Sequence, residues 1–166
     1  MAVIWITGLP GVGKTCAARI VAAKLRERGE ACLLLDGDRL RQAMAPLAAG
    51  YDEPTRRRLA QTYANLAAVA GEQGMIAVVS TVSLFSDVHA RNRDMIARYL
   101  EVLLVCDDAE REARRPRAGL GDAPQVGSDI DAEMPMAPHL ILDSGMLSRD
   151  EVAACILARW YSSSDG

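Results

Sequence analysis

The sequence predicts an α/β protein built as a three-layer sandwich, with a five-stranded parallel sheet, helices on both faces and a short lid. Short apolar runs rich in β-branched residues alternate with longer stretches of helical period, which is typical of strands buried between helices. The first apolar run ends in a glycine-rich segment that leads straight into a helical pattern. With 166 residues the chain is long enough for one full core, so we expect a single domain over residues 1–166.

Five apolar runs have the length and composition of buried strands. The first is AVIWIT, and the other four are equally short and end near a glycine, an aspartate or a polar residue. The predicted strands are Ala2–Thr7, Ala31–Leu35, Met75–Thr81, Glu101–Cys106 and His139–Leu142.

Helical periodicity fills the intervals between these runs. The predicted helices are Gly13–Arg28, Arg39–Met44, Pro54–Gln73, Asp87–Leu100, Ala109–Arg115 and Ser148–Tyr161. The third begins with Arg56, Arg57 and Arg58, although positive charge at a helix N-terminus opposes the helix dipole. This turn indicates either a nearby anion or a solvated basic surface.

The stretch Arg114–Pro138 has no clear periodicity and is rich in Gly, Pro, Asp and Arg. An irregular segment of that length in a compact domain is usually functional or mobile. We therefore interpret residues 114–138 as a lid.

Composition indicates the compartment in which the protein works and how it could hold a charged ligand. The formal net charge of -3 gives no general attraction to nucleic acid or to an anionic membrane, so an anionic ligand needs local groups to hold it. The four cysteines lie far apart in apolar segments, which favours buried thiols in a reducing compartment. No apolar run approaches the ~20 residues of a membrane span, and no leader is recognisable. We expect a cytoplasmic protein.

The segment that follows the first strand satisfies the pattern G-x-x-x-x-G-K-[ST]. It comprises Gly8, Leu9, Pro10, Gly11, Val12, Gly13, Lys14 and Thr15, with Cys16 next. Glycines allow backbone N–H groups to converge on a phosphate at a helix N-terminus. In this P-loop, Lys14 is expected to reach the β- and γ-phosphates and Thr15 to bind Mg²⁺. The predicted ligand is ATP with Mg²⁺, and the fold is of the P-loop NTPase type.

Two carboxylates, Asp36 and Asp38, follow the second predicted strand. The carboxyl ends of parallel strands face the ligand crevice, so one carboxylate is expected to support Mg²⁺ and the other to accept a proton from a substrate hydroxyl. The structural alternative is a turn in which Asp38 caps the next helix. No guanine-reading motif accompanies the P-loop, which favours a small-molecule kinase over a GTPase.

The chain resembles the adenylyl-sulfate kinase family from Val3 to about Asp143. The resemblance rests on an ordered set of segments: GLPGVGKT, LDGDRLR, GYDEPTR, VSTVSLF, RPRAGLG and VGSDIDAEMPMAPHLILD. These kinases phosphorylate the ribose 3′-hydroxyl of adenosine 5′-phosphosulfate. The resemblance therefore implies a phosphotransferase with an alcohol acceptor, and a homodimer.

The same resemblance implies roles for particular residues. Asp38 would be the base at the acceptor hydroxyl, with Asp36 at the metal and Lys14 at the phosphates. The residues implied at the acceptor nucleotide are Asp38, Arg41, Tyr51, Arg56, Ser83 and Phe85, and Arg115 of the lid would reach ATP. The alternatives are that Tyr51 packs in the core, that Arg56 is solvated, and that Ser83 and Phe85 merely end a strand.

The chain departs from the family on the acceptor side. Leu59 stands where the family has asparagine, and Thr81 where it has an aromatic residue. The lid segment loses an aspartate, a lysine and a tyrosine, and Ala132 replaces the tyrosine of Y-E-x-P. These changes leave the phosphoryl donor side intact and alter the acceptor pocket.

The chain also resembles a subgroup of these kinases from surface-polysaccharide pathways, which share GYD, V-S-x-F ahead of N-R, and V-G-x-D-I. That subgroup includes kinases of a cytidine diphosphoramidate. Two further alternatives are an ATP-binding module without catalysis and a gluconate- or shikimate-type kinase. The second explains the aspartate pair and the G-Y-x-x-x-x-R segment less well.

Overall fold

A computed structural model describes residues 1–45, 48, 50–114, 126–127 and 129–162. Within them the strands are β1 Ala2–Thr7, β2 Cys32–Asp36, β3 Ile76–Ser80, β4 Arg98–Val105 and β5 Leu140–Asp143. The helices are α1 Lys14–Glu27, α2 Gly37–Ala43, α3 Glu53–Glu72, α4 Ser86–Met95, α5 Asp108–Arg114 and α6 Arg149–Ser162. None of these helices combines the length and the apolar character that a membrane span requires.

The five strands form one parallel sheet in the order β2-β3-β1-β4-β5, which confirms the predicted fold class. The strand β1 lies at the centre and pairs with β3 on one side and β4 on the other. Because all strands run the same way, the segments that follow them gather at one edge. The segment after β1 is the P-loop.

Each face of the sheet carries its own hydrophobic core. On one face Ile4 and Ile6 of β1 pack with the inner sides of α1 and α6, including Val21 and Ile156. On the other face Val3 and Trp5 pack with residues of α3 and α4. Burial of β1 on both faces explains why its sequence is continuously apolar rather than alternating.

The predicted fourth helix was too long. It was expected over Asp87–Leu100, but α4 ends at Met95, and Arg98 already begins β4. The reason is strand pairing, because Arg98, Tyr99 and Leu100 align with residues 2–4 of β1. Their backbone groups form the hydrogen bonds of the parallel sheet instead of those of a helix.

The early part of β4 also contains a buried acid that fastens α4 to the sheet. Glu101 has no exposed surface, and its Oε1 lies 2.5 Å from His89 Nδ1 of α4. Arg93 of the same helix pairs with the other carboxylate oxygen. A buried carboxylate needs such partners, so these contacts fix the start of β4 and the end of α4 together.

The second helix begins two residues earlier than predicted, at Gly37 rather than Arg39. Asp36 is its N-cap, and the Asp36 carboxylate accepts a hydrogen bond from the Arg39 backbone N–H at 3.2 Å. The structural alternative that made Asp38 the cap was therefore wrong. Asp38 lies inside the first turn, where a negative charge suits the helix dipole.

Much of the predicted lid, residues 115–125 and 128, lies outside the described residues, and Arg115 is among them. The described part after this gap starts with Val126 and Gly127, and Gly127 N–H donates to Ile130 O at 2.8 Å. We call residues 129–138, which run into β5, the leading segment.

Candidate active site

The P-loop requires glycine where its backbone comes closest to other backbone groups. Gly8 and Gly11 have φ of 144° and 92°, in the region that favours glycine. A Cβ on Gly8 would overlap the Leu104 carbonyl oxygen, and one on Gly11 would overlap the carbonyl oxygen of Arg111. The loop is therefore seated on β4 and α5 by contacts that only glycine allows.

Lys14 is the first residue of α1 and is 8% exposed. Its ammonium donates to the Leu9 carbonyl oxygen at 2.8 Å, across the P-loop. Burial lowers the pKa of Lys14 to about 8, and the negative charges of Asp38 and Asp36 partly offset that effect. In the protein without nucleotide, Lys14 therefore has a pKa only slightly above neutral pH and is mostly charged at pH 7.

This pKa leads to a prediction for ATP binding. A triphosphate beside Lys14 favours the charged ammonium, so the Lys14 pKa rises in the complex. Below pH 7 the lysine is already protonated and no proton is taken up. Near the free pKa of about 8 the complex takes up protons, and affinity for ATP falls as pH rises further.

The measurement is isothermal titration calorimetry with Mg·ATP at pH 8 in buffers of different ionisation enthalpy. Uptake near half a proton per site is expected, and Lys14→Ala should abolish it. Equal heats in all buffers for the unmodified protein would contradict the assignment.

Three side-chain oxygens meet beside the P-loop. The Thr15 hydroxyl donates to Asp36 Oδ2 at 2.8 Å, and the Ser80 hydroxyl, at the end of β3, donates to the same oxygen at 3.3 Å. Hydroxyl and carboxylate oxygens are hard ligands of the kind that Mg²⁺ binds together with water and substrate phosphates. These residues therefore fit a magnesium ion, whose other ligands would be water and nucleotide oxygens.

A second group of side chains surrounds Tyr51, on the other side of Asp38. The guanidinium carbons of Arg41 and Arg56 lie 4.6 Å and 5.4 Å from the centre of the Tyr51 ring. Arg41 donates to the carbonyl oxygens of Ala48 and Gly50, and Arg56 Nε donates to Tyr51 O at 2.8 Å. Burial, and next the charge of Arg41, lower the pKa of Arg56. Two cations held this close favour an anion between them.

The segment after β3 lines the same cavity as this arginine pair. Thr81 Oγ1 and Ser83 Oγ are hydrogen-bonded at 2.8 Å, and both side chains are buried. Phe85 is also buried, and Leu59 of α3 lies nearby in the same lining. The two departures from the family pattern, Leu59 and Thr81, thus lie in one pocket.

All these groups line one cavity of about 1530 Å³. Of the residues predicted from the sequence, those that line it are Pro10, Gly11, Val12, Gly13, Lys14, Thr15, Cys16, Asp36, Asp38, Arg41, Tyr51, Arg56, Ser83 and Phe85. Gly8 and Leu9, the first two residues of the P-loop, are not part of the cavity lining. The role predicted for Arg115 falls outside the described residues.

Sequence reasoning missed several lining residues on the P-loop side. Ser144, which follows β5, has its hydroxyl oxygen 2.8 Å from Val12 O and 3.1 Å from Val105 O. Arg114 lines the cavity and donates to Ser144 O at 3.1 Å, whereas Arg111 pairs with Asp108 and Glu112. The position of Ser144 could have indicated this role, because it follows a strand at the same sheet edge as the P-loop.

Comparisons with known proteins relate the chain to a family of kinases. The family model described as adenylylsulphate kinase matches residues 1–143. A cytidine diphosphoramidate kinase from Campylobacter jejuni is 31% identical over 163 residues, covering 95% of each chain. An adenylyl-sulfate kinase from Bacillus pumilus is 33% identical over 157 residues, 90% of this chain and 79% of that protein.

Solved structures are similar as well. The APS kinase of Mycobacterium tuberculosis, in complex with AMPPNP and APS, superposes with a TM-score of 0.86 at 26% identity. The superposition covers 96% of this chain and 97% of that one. The likeness in fold therefore extends over nearly the whole chain.

Proposed function

The chain belongs to the adenylylsulphate kinase family, and from that premise we propose that it transfers the γ-phosphoryl group of ATP to the ribose 3′-hydroxyl of a nucleotide. One observation carries the proposal: the P-loop, the aspartate pair and the arginine pair line the same cavity. Its volume of about 1530 Å³ exceeds the ~300–1,000 Å³ usual for one small ligand, which suits two nucleotides side by side.

The donor side holds the triphosphate and stabilises charge. Backbone N–H groups of the P-loop and the Lys14 ammonium would bind the β- and γ-phosphates, and Thr15 with Asp36 would hold Mg²⁺. Bound there, Mg²⁺ supplies neutralisation of the phosphate charge. Lys14 exchanges its bond to Leu9 O for phosphate oxygens, so little protein rearrangement is needed.

On the acceptor side, Tyr51 and the arginine pair would position the nucleotide. Its hydroxyl oxygen forms the new bond to phosphorus as the bond between phosphorus and the ADP oxygen breaks. Asp38 takes the hydroxyl proton. Positioning is most of the catalysis, because the transition state of phosphoryl transfer is loose.

Two acceptors follow from the family, adenosine 5′-phosphosulfate and a cytidine diphosphoramidate. Adenosine 5′-phosphosulfate is the acceptor that the family as a whole implies. The second is favoured by the altered pocket at Leu59 and Thr81, and by full-length similarity to a cytidine diphosphoramidate kinase. Both carry an anionic 5′ group suited to Arg41 and Arg56.

The test is a screen with γ-labelled ATP against both acceptors, simple cytidine and adenosine nucleotides, and sugars. Label is expected in one nucleotide class and in none of the sugars. Saturable ATP binding without turnover on any acceptor would instead support an ATP-binding module.

We also propose that the protein is a homodimer, as the family resemblance implies, and that it is cytoplasmic. Its cysteines are free thiols among the described residues, which suits a reducing compartment. Light scattering coupled to size exclusion should give twice the 17.9 kDa chain mass. A monomeric mass at micromolar concentration would contradict the dimer.

A further inference from the structure

One carboxylate to which the sequence analysis gave no role, Glu133 of the segment that matches Y-E-x-P, joins separate parts of the chain beside the acceptor pocket. Glu133 Oε2 accepts hydrogen bonds from the Ser86 backbone N–H at 2.9 Å and from the Ser86 hydroxyl at 2.5 Å. Its backbone N–H donates to Leu84 O at 3.2 Å. The leading segment is therefore fastened to the residues on both sides of Phe85.

The hydrogen bonds from Ser86 to Glu133 supply the cap that the N-terminus of α4 otherwise lacks. The cap residue of that helix is Phe85, whose side chain makes no capping hydrogen bond. Glu133 supplies the missing acceptor from a position 47 residues away along the chain. A carboxylate at a helix N-terminus satisfies an orphan N–H and suits the helix dipole.

The other carboxylate oxygen of Glu133 faces Arg57. Arg57 Nη2 donates to Glu133 Oε1 at 3.1 Å and to Glu53 Oε1 at 3.0 Å, and Nη1 contacts Asp87. The hydrogen bond to Glu53 is the largest cause of a raised pKa at Arg57, and the Ser86 hydrogen bonds lower the pKa of Glu133. Both groups therefore stay charged around neutral pH.

Arg57 also covers the Phe85 side chain. Its guanidinium carbon lies 4.5 Å from the centre of the Phe85 ring, within the range of a cation–π contact. Phe85 is 3% exposed and lines the cavity. Its ring is thus held by Arg57, while Glu133 holds the backbone at Leu84 and Ser86.

We propose that Arg57 and Glu133 form an anchor that positions Phe85 and so sets affinity for the acceptor nucleotide. This inference rests on the proposed function. Neither residue lines the cavity, so both are positioning residues. Of the three consecutive arginines, Arg56 lines the pocket and Arg57 supports its wall. Arg58 is exposed and donates to the hydroxyl of the buried Thr55.

The main test is Glu133→Gln, which keeps the shape but removes the charge shared by Arg57 and Ser86. Hydrogen bonds to charged groups are strong, but the Glu133 side chain is 38% exposed, which weakens the effect. We expect the acceptor KM to rise about threefold to tenfold, with kcat and the Kd for Mg·ATP within about twofold of the unmodified protein.

Further variants separate the anchor from general destabilisation. Arg57→Gln should raise the acceptor KM similarly, and the double variant should be little worse than either single one, because the two residues act as a unit. Arg57→Lys should recover part of the affinity. The controls are Glu53→Gln, which removes another partner of Arg57 without touching Ser86, and Arg58→Gln.

The outcomes are distinct. A rise in acceptor KM for Glu133→Gln and Arg57→Gln, absent from both controls, supports the anchor. An active parent protein whose Glu133→Gln variant matches Glu53→Gln in acceptor KM overturns the anchor alone. A parent protein that phosphorylates no nucleotide overturns the proposed function and the anchor's role with it.

Discussion

Replacing Lys14 with alanine is expected to lower kcat/KM by about a thousandfold or more while leaving the fold intact. The Lys14 ammonium is the buried cation of the P-loop, 2.8 Å from Leu9 O. In the proposed reaction it stabilises the negative charge that develops on the oxygen that leaves with ADP. The measurement is initial rate with γ-labelled ATP across a range of ATP and acceptor concentrations.

The matched control is Lys24→Ala, since Lys24 is the chain's only other lysine and lies on the same helix. It removes the same group ten residues farther along α1, outside the cavity lining. Near-normal activity is expected there. Circular dichroism and thermal unfolding of both variants show that the fold is retained. Full activity of Lys14→Ala would contradict the proposed donor site.

Replacing Asp38 with asparagine is expected to lower kcat by about 10²–10⁴-fold, the usual contribution of a positioned general base. Asp38 lines the cavity between the P-loop and the arginine pair, and asparagine has the same shape without the basic carboxylate. Affinity for Mg·ATP should change little, because Asp36 and Thr15 remain. The residual rate should rise with pH, since solvent must then take the hydroxyl proton.

The control for this variant is Asp94→Asn, which changes an exposed aspartate of α4 outside the cavity lining. It should keep normal kcat. If Asp38→Asn retained full kcat with an unchanged pH profile, Asp38 would not be the base.

The features that could be predicted from the sequence are those carried by contiguous residues. A strand such as β1, buried on both faces, must be apolar throughout, so its position is visible in the sequence. The P-loop is likewise one unbroken segment, and each of its glycines has a positive φ, which favours glycine. The placement of the P-loop at the carboxyl edge of the parallel sheet follows from these elements.

The features that could not be predicted depend on partners distant along the chain. Residues 98–100 continue a helical pattern but pair with β1, about 95 positions earlier, and that pairing decides their conformation. Ser144 meets Val12 only because β4 and β5 are neighbours. Glu133, in an irregular stretch, carries no local sign of its bonds to Ser86 and Arg57.

Asp36 shows a third limit, because one carboxylate serves two purposes. It caps α2 through the Arg39 N–H and accepts the Thr15 hydroxyl at 2.8 Å. A helix cap and a metal-binding carboxylate are alternative interpretations of the aspartate pair, yet the cap and the oxygen cluster coexist at Asp36. The cap uses Oδ1 and fixes the orientation of the carboxylate, so that Oδ2 accepts the hydrogen bond from Thr15 of the P-loop.

In the proposed reaction the terminal phosphate of ATP passes to a nucleotide's ribose oxygen beside Asp38. The most direct measurement is incubation with γ-labelled ATP, Mg²⁺ and the best acceptor of the screen, followed by NMR of the product. We expect equimolar ADP and a nucleotide that carries the labelled phosphate as a monoester on its 3′-oxygen. Label found only in inorganic phosphate, or on an oxygen outside the ribose, would contradict it.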